Sequence, residues 1–299
     1  MRARIRDSEI YFDVDGAALV PDGSRMREKP VAFMIHGGPG SDHTALKAAY
    51  APLAERFQLI YFDHRGQGRS ARGDPQKYTL DENVHDMEAL RQYLGIGRIV
   101  SIGTSYGGMV AMAHAARHPE AVSHLILVAT ASHNGNIWRA QEIVAQRGTA
   151  EQIAQCSDVF SGRIDTAEKL RRYYEIMGPL YSHRYDAVRA KAARDRATYA
   201  PEALNRAFGP EGFMRNSDLR QELRLITAPT LVLAGRHDWI CPPEFSEEIH
   251  RLIPGSDLRI FEESGHSLRS DEPEQTMDAI SGFVVYNNTK RVGAPAGIP

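Results

Sequence analysis

The first clear rhythm in the chain is a block of apolar residues, "VAFMI" (31–35), ending in the glycine-rich stretch "HGGPG". A short apolar run bounded by turn residues predicts a strand buried on both faces. Next, "SDHTALKAAYAPLAERF" spaces its apolar positions at helical intervals, with a helix start at Ser41 or Asp42. "QLIYF" (58–62) is a second strand, ending in "DHRGQGRS", and "TLDENVHDMEALRQYLG" is a helix opened by Thr79 or Asp81. "RIVSIG" reads as strand, "YGGMVAMAHAARH" as a helix stopped by Pro119, and "VSHLILVAT" as strand. Strand, loop, helix and strand in this alternation predict a parallel sheet covered by helices on both faces.

From about His133 to Gln221 the strand signal fades into charged, helix-compatible sequence dotted with Tyr173, Tyr174, Tyr181, Tyr185, Phe208 and Phe213. The alternation then returns with "APTLVLAG" (228–235), the helix "PPEFSEEIHRLI", the strand "DLRIFE" and a last helix, "EPEQTMDAISGFV". The flanking strands need each other to complete one sheet. The pattern therefore predicts a discontinuous core (1–132 and 222–287) interrupted by a helical cap (133–221). Residues 288–299 are rich in Gly, Pro and Ala, and read as a frayed tail or an appended remnant.

Composition narrows the partners. The 36 basic and 38 acidic residues give a formal charge of −2, which does not point to nucleic acid or an anionic membrane. No apolar run approaches the roughly 20 residues of a membrane span, and the N-terminal arginines are followed by no apolar stretch of a secretory signal. Cys156 and Cys241 are the two cysteines, which reads as reduced thiols in a cytoplasmic protein.

The candidate chemistry centres on "GTSYGG" (103–108). A lone G-x-S-x-G is a weak signal. Here it lies between a predicted strand and a predicted helix, the setting in which a serine is forced onto a sharp turn as a nucleophile. Gly103 and Gly107 remove the Cβ atoms that would collide across that turn. Such a serine needs a base and an orienting carboxylate, expected in the order serine, acid, histidine after the last strands. Asp238 in "LVLAGRHDWICPP" and His266 in "RIFEESGHSLRS" stand just past successive strands. Among the other histidines, which include His36, His64 and His85, His114 and His118 lie on a predicted helix and read as packed or solvated. His237 adjoins Asp238 and would point away from it on an extended segment. The oxyanion of a tetrahedral intermediate would be met by the Tyr106 N–H and by Gly38, with Gly37 as the neighbouring alternative. Asp63 and Arg65 in "DHRGQGRS" read as hydrogen-bonding scaffold.

In that order, "HGGPG", "DHRGQGRS", "GTSYGG", "GRHD" and "SGH" resemble the α/β-hydrolase superfamily, and within it the proline iminopeptidase-like branch. The resemblance implies an α/β-hydrolase fold: a mostly parallel central sheet flanked by helices, with a helical cap inserted before the last strands. It also implies a Ser105–Asp238–His266 triad and no metal or organic cofactor. Peptidases of this branch hold a substrate ammonium with carboxylates, one in a cap segment G-P-x-E-F and one directly after the triad aspartate. Here "FGPEGF" puts Gly212 at the first position with Glu211 one residue early, and Trp239 follows Asp238. An unpartnered buried ammonium is costly. The favoured substrate is therefore a small carboxylic ester, lactone or amide, with Trp239, Phe213, Gly37 and Glu211 as candidate pocket residues beside the cap aromatics. A prolyl-type aminopeptidase acting on short peptide-like substrates is the alternative, with Glu211, Glu175 or Glu244 as ammonium partners. A non-catalytic small-ligand receptor on the same fold is the remote one.

Overall fold

The computed structural model describes residues 1–293. The chain opens with two antiparallel strands, β1 (Arg2–Ile5) and β2 (Ser8–Asp15), and a separate hairpin of β3 (Leu19–Asp22) and β4 (Arg25–Glu28). These come before the rhythm recognised in the sequence. The expected strands follow: β5 (Val31–Ile35), β6 (Gln58–Phe62), β7 (Ile99–Thr104), β8 (Val122–Val128), β9 (Thr230–Gly235) and β10 (Asp257–Phe261). One eight-stranded sheet results, in the order β1-β2-β6-β5-β7-β8-β9-β10. It is parallel from β6 to β10, with β1 and β2 antiparallel at one edge.

The helices of the alternation are α1 (Thr44–Tyr50), α2 (Leu80–Tyr93) and α3 (Tyr106–Arg117). α1 is shorter than its apolar spacing suggested. The chain tightens into a 3₁₀ turn over Ala51–Glu55, where Pro52 has no N–H to continue α-helical bonding. α2 starts as read, with the Thr79 hydroxyl accepting the Glu82 N–H at 3.3 Å.

Between β8 and β9 the chain is helical: α4 (Gly135–Arg147), α5 (Ala150–Phe160), α6 (Ala167–Tyr181), α7 (Ala187–Arg196), α8 (Pro201–Phe208) and α9 (Arg220–Leu223). The two ends of this insert are joined. His133 and Asp218 form an isolated antiparallel bridge, the Asn134 N–H donates to Ser217 O at 2.9 Å, and the Leu219 N–H donates to Ser132 O at 2.8 Å. After β9 come α10 (Pro243–Leu252), then, past β10, α11 (Leu268–Asp271) and α12 (Pro273–Gly293). α12 runs through 288–293, the first half of the stretch read as a tail, while residues 294–299 lie outside those described.

Alternation along β5 builds both layers of the core. Phe33 and Ile35 pack on one face with Val84, Met87, Met109 and Ile249. Ala32 and Met34 pack on the other with Tyr50, Ile280 and Phe283. Successive strand side chains point to opposite faces, so each buried strand serves two layers. In register, Ile35 lies opposite both Phe62 and Gly103, and Phe261 opposite Gly235. The segments after β5, β6, β7, β9 and β10 thus leave the sheet at one end. Among the described residues, no helix is long and apolar enough to cross a membrane.

Candidate active site

Ser105 sits between the end of β7 and the first residue of α3 with φ 55° and ψ −125°. A side chain at positive φ is strained and persists only where its surroundings impose it. Here they do. The Ser105 N–H donates to Val128 O at 2.9 Å, and its carbonyl accepts from the Thr130 hydroxyl at 2.7 Å and the Gly108 N–H at 2.8 Å. The turn closes so tightly that a Cβ on Gly103 would lie 2.3 Å from Gly107 O, and one on Gly107 would lie 2.2 Å from Ile35 O. Both glycines are therefore steric requirements.

Asp238 follows β9 and His266 follows β10; both are buried. Asp238 Oδ1 accepts the Ile240 and Cys241 N–H groups, each at 2.9 Å, and Oδ2 lies 2.7 Å from His266 Nδ1. A carboxylate with these partners assigns the proton to Nδ1 and leaves the Nε2 lone pair free. Ser105 and His266 line one cavity of about 260 Å³. Among the described residues no hydrogen bond joins the serine hydroxyl to the imidazole; such bonds often tighten only with substrate in place.

The "HGGPG" loop runs beside the serine: a Cβ on Gly37 would come within 3.0 Å of Ser105 Cβ. Gly37 and Gly38 line the same cavity. The Tyr106 N–H opens α3, where no earlier carbonyl of the helix can accept it. The loop is held from behind. The His64 N–H donates to His36 Nε2 at 3.1 Å, so His36 carries its proton on Nδ1 and donates to Gly37 O at 2.8 Å. Burial lowers the pKa of His36 and drops that of His64 well below the usual imidazole value, keeping both neutral. Gln67 Oε1 accepts the Gly40 N–H at 2.7 Å.

Asp63 and Arg65 are buried in this same support. Asp63 accepts from the His43 and Arg69 N–H groups at 2.9 and 2.8 Å. Burial would raise its pKa, but the His43 side chain and these neighbours outweigh it and hold the carboxyl low. Arg65 donates to both oxygens of Asp86, at 2.5 and 2.6 Å.

The other pocket candidates fall elsewhere. Trp239 is only 2% exposed and packs edge-on behind Tyr181, with ring centroids 5.4 Å apart. Phe213 meets the Tyr106 ring at a tilt, with centroids 6.0 Å apart. Glu211 is exposed, and neither it, Trp239 nor Phe213 lines the cavity. Position 212 has no room for a carboxylate, because a Cβ there would lie 2.1 Å from Ala207 O. Glu175 pairs with Arg172 at 2.9 Å and Glu244 with Arg139 at 3.0 Å, both away from the cavity. The cavity wall is instead formed by Tyr174, Tyr181, Tyr185 and Tyr199 with Ile240, under a rim of arginines. Three of those tyrosines stood out in the sequence; Tyr199, Ile240 and the arginines did not. The nearness of Arg269 in sequence to His266, three residues on and in the first turn of α11, is the one local signal that could have found an arginine.

The alpha/beta hydrolase fold model matches residues 30–273. The proline iminopeptidase PfmaB of Pestalotiopsis fici is 30% identical over 276 residues, spanning 90% of this chain and 97% of that protein. Among solved structures, the proline iminopeptidase of Mycobacterium smegmatis superposes with a TM-score of 0.77 at 21% identity, covering 97% of this chain and 99% of that one. An esterase from Exiguobacterium antarcticum superposes with a TM-score of 0.71 at 22% identity, covering 95% and 98%. Those two likenesses are of fold. With the family model matched across most of its length, the chain belongs to the alpha/beta hydrolase fold family.

Proposed function

We propose that the protein is a serine hydrolase that cleaves a small carboxylic ester, lactone or amide through an acyl-enzyme. The observation that carries this reading is the convergence on one cavity of a serine held at positive φ and an imidazole bonded to a buried carboxylate. The Ser105 oxygen adds to the substrate carbonyl as its proton passes to His266 Nε2. The carbonyl oxygen, now an oxyanion, is met by the Tyr106 and Gly38 N–H groups. The tetrahedral species collapses, the bond to the alcohol or amine breaks, and His266 returns the proton to that leaving group. Water then repeats the sequence on the acyl-enzyme, releasing the acid and restoring the serine. Asp238 holds the Nδ1 proton and stabilises the imidazolium throughout. Residues 133–221 act as a cap whose α6 and α7 close the cavity. Both cysteines are free thiols, which supports a reducing, cytoplasmic setting.

The test is Ser105→Ala with an activated ester and an organophosphonate probe. Turnover and labelling should both vanish; retained labelling would identify a different nucleophile.

A prolyl-type aminopeptidase is the second reading, favoured by the name of the relative at 30% identity. It needs a carboxylate free to meet an ammonium. Asp42 and Asp186 are the carboxylates lining the cavity, and both are engaged. Asp42 accepts from Thr44 and Thr198 N–H groups, and Asp186 caps α7 through Val188 and Arg189 N–H groups. Simple acyl esters assayed beside prolyl and other aminoacyl arylamides separate the two readings.

A further inference from the structure

Four arginines, Arg184, Arg189, Arg194 and Arg269, line the cavity with the two aspartates. Arg189 donates to Ser270 O at 3.2 Å, and Arg184 reaches Glu263 at 3.5 Å. Arg194 and Arg269 are different. Among the described residues, neither guanidinium makes a hydrogen bond or a close ion pair, Arg194 acting on Glu175 and Asp195 only at longer range, and both residues are half-buried. Other arginines without a partner, such as Arg56, Arg196 and Arg224, are exposed to water. A guanidinium withdrawn from water and left without an acceptor is poised for one.

Thr104, next in sequence to Ser105, lines the same cavity as Arg269, is 4% exposed, and turns its hydroxyl to the Tyr50 phenol. Both groups border Tyr50. Burial pushes the Tyr50 phenol up, and the Arg269 charge and Thr104 pull it back. Guanidinium groups facing a cavity match a carboxylate, which takes their forked N–H bonds. Against these four arginines the cavity sets two aspartates, Asp186 lying 4.0 Å from Arg189, so the lining keeps a net positive charge.

We propose that the cavity selects substrates bearing a free carboxylate, held by Arg269 and Arg194 while Ser105 attacks a second, esterified carbonyl. This rests on the hydrolase reading above and narrows it: the arginines attract an anionic ester and repel an aminoacyl ammonium.

The test compares isosteric pairs with the charge on either side of the scissile bond. Monomethyl glutarate is set against methyl 5-methylhexanoate, and butyryl glycolate against isobutyl butyrate, with acid release followed by titration. In at least one pair the charged member should have the higher kcat/KM by about tenfold or more, the scale of one charge-assisted hydrogen bond. Arg269→Gln and Arg194→Gln should each collapse that ratio, Arg269→Lys should restore part of it, and Arg163→Gln on the outer surface should leave it intact. Should the arginine variants fail to fold, calorimetry on the Ser105→Ala protein decides, since binding there needs no turnover. Glutarate binding more tightly than glutaramide supports the proposal even if Ser105 proves not to be the nucleophile. Equal binding, or preference for the neutral ester in both pairs, overturns it.

Discussion

Nδ1 of His266 and Oδ2 of Asp238 lie 2.7 Å apart, carried by the segments that follow neighbouring parallel strands. The carboxylate can only accept, so it fixes which ring nitrogen bears the proton. Asp238→Asn keeps the size and offers an amide N–H to the ring instead, turning the tautomer over. We expect kcat to fall by about 10³–10⁴ with little change in KM. A variant within tenfold of wild type would mean that the pair does not set the state of the base.

The serine turn makes a prediction about packing. Gly107→Ala puts a Cβ 2.2 Å from Ile35 O, a backbone atom of the central strand that cannot move aside cheaply. The loss should be about 1–3 kcal/mol or more, read as a lower melting temperature. Gly282 in α12 is the control, with nothing within 4 Å of an added Cβ. Gly282→Ala should be neutral or stabilise by about 0.5–1 kcal/mol. Equal melting temperatures for the two variants would contradict the steric account.

Acidification should destabilise the fold before any carboxylate titrates. Burial lowers the pKa values of His36, His64 and His114, with Glu88 opposing it in part at His114. In the unfolded chain these imidazoles protonate near pH 6.5. Above that value they are neutral in both states and their contribution is fully present. As pH falls below it toward the depressed folded values, the unfolded chain takes up protons that the fold refuses, so stability is lost. Urea midpoints should therefore drop between pH 7.5 and 5.5, the unfolding free energy falling by at most about 1.4 kcal/mol per pH unit for each group. Midpoints that do not move over this window would refute the assignment.

Asp271 links the insert to the segment that carries His266. Its carboxylate accepts the His183 and Arg184 N–H groups at 2.9 Å each and the Gly265 N–H, next to His266, at 2.8 Å. The Ser267 N–H also donates to Tyr181 O at 2.9 Å. Asp271→Ala should cost on the order of 3 kcal/mol, because the buried Gly265 N–H and two partly buried ones lose a charged acceptor. It should also lower kcat by loosening the segment that carries His266. Asp271→Asn, which keeps one oxygen, should fall in between. Wild-type melting temperature and kcat in the alanine variant would show that the contact is idle.

Much of this was legible in the chain because it is local. An unbroken apolar run such as "VAFMI" can be little other than a buried strand, and a serine between glycines at a strand-helix junction states its own geometry. The edge strands β1 and β2 went unread because their apolar positions are sparse, only Ile10 and Phe12 of β2 being buried. The cavity wall was less legible still. Trp239 was placed in it by adjacency to Asp238, yet its ring turns inward beneath Tyr181. Tyr199 and Arg194 reach the wall through the packing of α7, which no spacing in the sequence encodes. Gly212 was noticed as a missing carboxylate, and the close approach of Ala207 O gives the reason.

The clasp at the two ends of the helical insert has a wider consequence. Because Ser132 and Asn134 pair with Leu219 and Ser217, the chain leaves the sheet and re-enters it at a single point. Helices between those points can be lengthened, shortened or exchanged without shifting the alignment of β8 against β9. The cavity wall that the insert supplies is thereby a replaceable length of polypeptide, and a graft at this seam that keeps the Tyr181–Ser267 and Asp271 contacts is the natural route to reshaping it while Arg269 stays with the sheet.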